Sequence, residues 1–186
     1  MTGGEIGEKE LALLCTKKDK SAMKELYNRY ATRLYSLCCR YSQDQESGKD
    51  LLHDTFIKAF DKIASFNYRG DGSLYAWLRK IAINLAIERI RKDNRLKDLY
   101  STNDIYQVDD PDPESINAIP LNDLQKMISA LTESKRIVFC LHCIDGISHK
   151  DISSLLGISV GTSTSTLAKA KKQLACLIND YLRKRL

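Results

Sequence analysis

The chain has 186 residues, 43% of them hydrophobic, and a formal net charge of +5. That length allows one medium domain or two small ones, each able to bury a core. No apolar run approaches the ~18 residues of a membrane span, and the N-terminal MTGGEIGEKE lacks the basic-then-apolar order of a secretory signal. A cytoplasmic protein is expected, in which Cys15, Cys38, Cys39, Cys140, Cys143 and Cys176 stay reduced.

Nearly the whole sequence has helical period, and no segment alternates convincingly as a strand would. Leu11, Leu13 and Leu14 mark a short first helix. A second is expected from about residue 21 to 41, with Met23, Leu26, Tyr27, Tyr30, Leu34, Leu37 and Cys38 at steps of three and four. A third, from about 46 to 65, carries Leu51, Leu52, Thr55, Phe56, Ala59 and Ile63 on one side. Its other positions, Lys49, Asp50, His53, Asp54, Lys58 and Asp61, can offer a charged face to a protein partner. A fourth starts after Gly72, with Ser73 as its expected cap, and carries Leu74, Trp77, Leu78, Ile81, Leu85 and Ile90.

Composition then shifts. Between Asp98 and Gln125 there is no Lys or Arg, seven acids occur, and all three prolines fall at 111, 113 and 120. Such a stretch between helical blocks reads as a linker. The chain is therefore expected to be all-α: two small helical domains, 1–97 and 121–186, joined by an acidic linker, 98–120. In the second domain Cys140 and Cys143 are expected on one apolar helix face with Val138 and Leu141. No second Cys or His pair completes a zinc site at familiar spacing.

The segment Gly146–Leu174, GISHKDISSLLGISVGTSTSTLAKAKKQL, is the most specific part of the chain. Ser148 and Asp151 have capping-box spacing before Ile152, Leu155 and Leu156. Gly157 sits where that helix should stop. Ser159 can cap the next one, along which Val160, Leu167, Ala170 and Leu174 recur with helical period. Helix, Gly-bearing turn and helix is the helix-turn-helix signature, whose second helix usually enters the DNA major groove. Phosphate contacts are expected from Lys150, Lys169, Lys171 and Lys172. Base reading is expected from Ser159, Gly161, Thr162, Ser163, Thr164, Ser165 and Thr166. Hydroxyl side chains make no bidentate bond, so base specificity from this helix should be modest.

Two basic zones flank the acidic stretch. Arg69, Arg79, Lys80, Arg89, Arg91, Lys92, Arg95 and Lys97 stand against three acids, and six basic residues from Lys169 to the end stand against Asp180. In the first zone aromatics are interleaved with the cations: Phe66-Asn67-Tyr68-Arg69, the turn Gly70-Asp71-Gly72, then Tyr75, Trp77 and Asn84. Aromatic faces stack unpaired bases while Arg and Lys hold the backbone, which suits melted DNA. Trp77, in step with Leu74, Leu78 and Ile81, reads first as a core residue.

These residues resemble a known family. Lys49–Phe60, KDLLHDTFIKAF, resembles the core-polymerase-binding helix of sigma-70 family initiation factors. Leu74–Lys92, LYAWLRKIAINLAIERIRK, is similar to the promoter-melting and −10-reading helix that follows it. Leu131–Leu174, with its GISVGT turn, resembles sigma region 4. Two such domains on a short acidic linker resemble the extracytoplasmic-function (ECF) group. The resemblance implies that Lys49, Asp50, Leu51, His53, Asp54, Ile57 and Lys58 dock on the β′ clamp helices of core RNA polymerase. It also implies that the loop around Phe66–Gly72, with Asn67, Tyr68 and Arg69, captures a flipped −10 base. Trp77, Arg79, Lys80, Asn84, Arg89 and Lys92 would hold the adjoining promoter DNA, and the C-terminal helix would read the −35 element beside the β flap. An anti-sigma factor is implied as a further partner. No catalytic residue, cofactor, metal or small-molecule substrate is implied, since the polymerase makes the bonds.

This chain departs from the family at Ser163–Thr166, where many members carry Lys or Arg, and at His53, where Gln is common. The linker passes a geometric test. Two promoter elements two helical turns apart lie roughly 70 Å from each other. Twenty-three residues reach at most ~80 Å extended and average ~26 Å as a coil. The competing class, a stand-alone helix-turn-helix regulator, needs neither the melting module nor the polymerase-binding helix. A nucleic-acid enzyme lacks support, because the carboxylates cluster in a linker and no P-loop is present.

Overall fold

The computed structural model describes residues 6–93, 96 and 111–184, and every regular element among them is helical. Contacts divide the chain into two compact units, residues 1–89 and 90–186.

The first unit is built from α1 (Glu8–Thr16), α2 (Lys20–Tyr41), α3 (Gln45–Lys62), a 3₁₀ turn (Ile63–Ser65) and α4 (Ser73–Lys92), whose last turn passes the unit boundary. Short polar side chains fix the helix starts. The Asp19 carboxylate accepts from the Ala22 amide at 2.8 Å and that of Asp44 from the Ser47 amide at 2.7 Å. Each such cap is worth roughly 1 kcal/mol. Leu11, Leu26, Leu34, Leu37, Leu51, Leu74 and Leu78 are buried at helical spacings and form the core. Each contributes about 1.5–3 kcal/mol by leaving water.

The α2 and α3 helices make the most extensive contact of this unit, and Gly48 marks its tightest point. A Cβ there would lie 2.9 Å from the Cys39 sulfur. Tyr27, expected in the α2 core stripe, is 42% exposed, with its ring against Phe56 at a centroid distance of 4.6 Å. It sits where the apolar stripe of α2 meets the edge of α3, so only one of its faces is covered.

The second unit holds α5 (Pro113–Asn117), α6 (Leu121–Ser129), α7 (Glu133–Phe139), a π-helical turn (Cys140–Ile144), α8 (His149–Leu156) and α9 (Val160–Arg183). Ile119, Met127, Leu131, Ala170, Leu174 and Ile178 form one buried cluster, with Ile116 and Phe139 packed against it. The C-terminal part of the expected linker is thus a short helix whose Ile116, with Ile119 just beyond its end, joins this core. Its first part, with Asp98, Asp104, Asp109 and Asp110, lies outside the described residues, as do Arg95 and Lys97.

The π turn accounts for a second difference. Cys140 is buried as expected, but Cys143 is exposed. The Asp145 amide donates to the Cys140 carbonyl at 2.9 Å, five residues back. That wider turn breaks the three-residue register that would have placed both thiols on one face. Among the described residues no three His, Cys, Asp or Glu side chains group as a metal would need.

Candidate nucleic-acid interface

The helix-turn-helix forms as its capping residues dictate. Ser148 Oγ accepts from the Asp151 amide at 3.1 Å and starts α8. Gly157 ends it in the left-handed region, φ 70° and ψ 34°, where a side chain would be strained, and its amide donates to the Ser153 carbonyl at 2.9 Å. Ser159 Oγ then accepts from the Thr162 amide at 2.9 Å and starts α9. The turn between the helices is therefore three residues, Gly157, Ile158 and Ser159.

The orientation of α9 sorts the expected base readers. Ser159, Val160, Gly161, Thr164, Ser165 and Ala168 are exposed, followed by Lys171 and Lys172. Ser163 and Thr166 are buried, at 0% and 3% exposure, and cannot touch a base as the fold stands. They lie on the same face as Leu167 and Ala170, which pack inward. Thr162 is half-buried and its hydroxyl pairs with Ser159 Oγ at 2.8 Å. Lys169 is half-buried, whereas Lys150 on α8 is exposed. Val160 and Ala168 belong to the outer face and were hidden by their apolar character. Two exposed hydroxyls are already engaged with their own helix: Thr164 Oγ1 donates to the Val160 carbonyl at 3.0 Å and Ser165 Oγ to the Thr162 carbonyl at 3.1 Å.

Ser163 is buried because it ties the two helices together. Its hydroxyl lies 2.8 Å from His149 Nδ1, at the start of α8. The His149 ring stacks on His142 at 4.2 Å and 13°, and His142 Nδ1 donates to the Ile147 carbonyl at 3.0 Å. Burial first, then the neighbouring His142 and Lys171, holds His149 below the ordinary histidine pKa. The unfolded chain takes up this proton at higher pH than the folded one, so stability is complete above about pH 6.5 and declines as pH falls below it. A thermal melt of the second unit should shift to lower temperature between about pH 7.5 and 5.5, and His149→Gln should flatten that dependence. An unchanged pH slope in the variant would rule out this histidine as its source.

On α3 the outward positions are Lys49, Asp50, His53, Asp54, Ile57 and Lys58, all exposed. Leu51, expected among the docking residues, is 1% exposed and supports this face from beneath, because it falls in register with Thr55 and Ala59. Asp54 is not wholly available for a partner: it forms an ion pair with Arg89 of α4, whose guanidinium also reaches the Ser47 carbonyl at 3.5 Å. Arg89 therefore joins α4 to α3, and its expected DNA role competes with that pairing.

The loop from 66 to 72 leads into α4. Asn67, Tyr68 and Arg69 are exposed on it. Gly70 and Gly72 adopt φ of 113° and 87°, which turn the chain sharply. Tyr68 donates to Asp71 at 2.9 Å. Phe66 packs against Trp77 at 5.6 Å, and Trp77 is half-buried, so it divides its surface between core and solvent. Tyr75 is covered differently: the Arg33 guanidinium lies 4.0 Å over its ring and Tyr30 stacks at 6.0 Å. Along α4 the exposed stripe is Lys80, Asn84, Glu88, Arg91 and Lys92, with Arg79 half-buried beside it.

Ser73 does not cap α4 as its position suggests. Its hydroxyl accepts instead from the Arg69 amide at 3.2 Å, bracing the loop. The amide of Leu74 donates to the Glu8 carboxylate at 3.0 Å, a partner 66 residues away.

An all-α chain with a helix-turn-helix in one unit, and an aromatic–basic loop and helix in the other, has the features of a DNA-binding transcription protein. Sigma-70 region 2 matches residues 26–96, and sigma-70 region 4 matches residues 121–174. The chain belongs to the sigma-70 family, in its ECF group. It is 31% identical over 173 residues to the ECF RNA polymerase sigma factor SigE of Mycolicibacterium smegmatis, covering 89% of this chain and 65% of that protein. Against SigW of Bacillus subtilis it is 27% identical over 177 residues, 88% of this chain and 92% of the other. The sigma factor RpoE of Bartonella quintana, solved in complex with the anti-sigma factor NepR, shares the fold. Its TM-score is 0.51 at 24% identity, over 84% of this chain and 96% of that one. The family consists of transcription initiation factors, not enzymes. No helix among the described residues is long and apolar enough to cross a membrane.

Proposed function

We propose that this chain directs core RNA polymerase to promoters as an ECF sigma factor, acting in the cytoplasm. Residues 1–97 serve as the region 2-like domain and 121–186 as the region 4-like domain; of the connecting residues 98–120, Ile116 and Ile119 pack with the latter. The observation that carries this reading is the order of parts. A charged outer face on α3, an aromatic–basic loop leading into α4, and a capped helix-turn-helix follow one another as the two matched regions do.

In this reading the outer face of α3 docks on the β′ clamp helices. Asn67, Tyr68 and Arg69 capture a base flipped from the −10 element, and Lys80, Asn84, Arg91 and Lys92 hold the adjoining strand through its phosphates. The exposed rim of α9 lies against the −35 element, held by Lys150, Lys171 and Lys172. Unstacking a −10 base costs a few kcal/mol, which is offset by stacking and hydrogen bonds in the pocket. An anti-sigma factor holds the chain inactive until a signal releases it.

Run-off transcription with core polymerase tests the assignment. The chain should redirect core polymerase to a new set of start sites. Strong binding to duplex DNA alone, with no redirection, would favour a stand-alone regulator. The phosphate contacts are tested separately by Lys171→Ala with Lys172→Ala. The double variant should bind every −35 duplex more weakly, and its affinity should fall less steeply with salt, by about two units in the log–log slope. An unchanged slope would place these lysines away from the phosphates.

A further inference from the structure

The α1 helix precedes the residues matched to region 2, yet it holds both ends of the proposed strand-capture loop. Glu8, its first residue, is the joint. One carboxylate oxygen accepts from Tyr30 Oη at 2.8 Å, and the other from the Leu74 amide at 3.0 Å. Leu74 is the second residue of α4, so this amide belongs to the helix start that lacks an internal partner. A carboxylate there satisfies the donor and complements the positive end of the helix dipole. At the other end of the loop, α1 packs against the 3₁₀ turn Ile63–Ser65. Leu11, Ala12 and Cys15 are buried along its inner face. The Ile6 carbonyl accepts from Arg29 at 2.8 Å, fixing the entry to α1.

The loop's own bonds are short-range. They run from Phe66 to Ile63, from Tyr68 to Asp71, from Ser73 to Gly70 and from Arg69 to Ser73. None of them spans more than four residues. Support from beyond the loop comes from Glu8 at the start of α4 and from Trp77, whose ring packs on Phe66. Tyr30 is held firmly in the joint: burial first, then the bond to Glu8, pushes its hydroxyl up to about 12, so it stays a hydrogen donor throughout the working pH range.

We infer that Glu8 is a positioning residue for DNA melting, and that α1 acts as a brace setting the aim of Asn67, Tyr68 and Arg69. The inference rests on the sigma-factor reading of the loop. A loop that must hold a flipped base needs its two ends at a fixed separation, because small displacements of positioning groups weaken capture disproportionately. Without the Glu8 carboxylate, the first turn of α4 would fray toward Ser73 and draw the loop with it.

The test uses holoenzyme and single-stranded oligonucleotides spanning the −10 element of a promoter found by run-off transcription, with 2-aminopurine at the captured base. Glu8→Ala should weaken strand binding about tenfold and lower the 2-aminopurine response, while affinity for core polymerase stays at the wild-type value. Glu8→Gln should remain within about threefold of wild type, since its carbonyl can accept from Leu74 and its amide can donate to Tyr30 Oη. Recovery by Gln marks geometry rather than charge as the requirement. If Glu8→Ala captures the strand as well as wild type does, the inference fails. It fails too if Glu8→Ala loses core affinity and strand affinity in parallel, which would mark Glu8 as part of the general stability of the unit. A wild-type holoenzyme that captures no strand would instead overturn the sigma-factor reading beneath it.

Discussion

Ile57→Asp should weaken binding to core polymerase by at least thirtyfold, equivalent to about 2 kcal/mol, while leaving the fold intact. Ile57 is 49% exposed in a stripe otherwise made of charged and polar residues: Lys49, Asp50, His53, Asp54 and Lys58. A large apolar side chain ringed by polar groups matches the arrangement of an interface hot spot, where the rim excludes water from a central contact. Beneath it Leu51, Leu52 and Phe56 are buried and hold α3 against α2, and those contacts are not altered. Substitution at so exposed a site usually changes stability by less than about 0.5 kcal/mol. Titration of labelled core polymerase measures the effect directly. An affinity within threefold of wild type would move the docking surface elsewhere. Tyr27 on α2, exposed and set against Phe56, would be the next position to change.

Ile152→Ala should unfold the helix-turn-helix under conditions where the first unit remains folded. Ile152 is fully buried in α8, between the Ser148 cap and the Gly157 stop. Removing its three outer carbons from a closed site costs about 2–5 kcal/mol through lost transfer energy and the cavity left behind. Small domains have only about 5–15 kcal/mol in total, and α8 has just eight residues over which to spread the damage. A thermal melt should show a new early transition, and recognition of −35 duplexes should be lost at 37 °C or nearby, a temperature where marginal domains unfold. Retention of a single unchanged transition would mean that the site collapses around the smaller side chain.

The local parts of this fold were legible in the sequence because their causes are local. Ser148, Gly157 and Ser159 act within four residues of themselves, and each does in the structure what its position suggests. The apolar stripe of α3 likewise predicted its buried face, whereas on α4 Trp77, Ile81 and Leu85 are only half-buried and Ile83 and Ile87, outside the expected stripe, are buried. What escaped were residues whose role depends on a distant partner or on an unusual turn. Ser163 and Thr166 carry hydroxyls, so a reading by polarity placed them outward. The helix register places them inward, and Ser163 is satisfied there by His149, fourteen residues earlier. Cys143 was misplaced by the π turn, which carries no sequence signal of its own. Ser73 looked like a cap, but Glu8, 66 residues from Leu74, occupies that position. No pattern within a window of helical length could have joined Glu8 to Leu74.

The two hydroxyls on the rim of α9 have one further chemical consequence. Thr164 and Ser165 give their hydrogens to the Val160 and Thr162 carbonyls of their own helix. What they turn outward is therefore lone pairs and, for Thr164, a methyl group. Such a rim complements base edges that bring their own hydrogens, the amino groups of adenine and cytosine in the major groove, and thymine through its methyl. Neither of these two hydroxyls has a hydrogen left for the paired acceptors of guanine. A helix that looks chemically neutral in its sequence is in this way polarised by its own backbone, and its preference among bases would be written partly in carbonyls that never touch DNA.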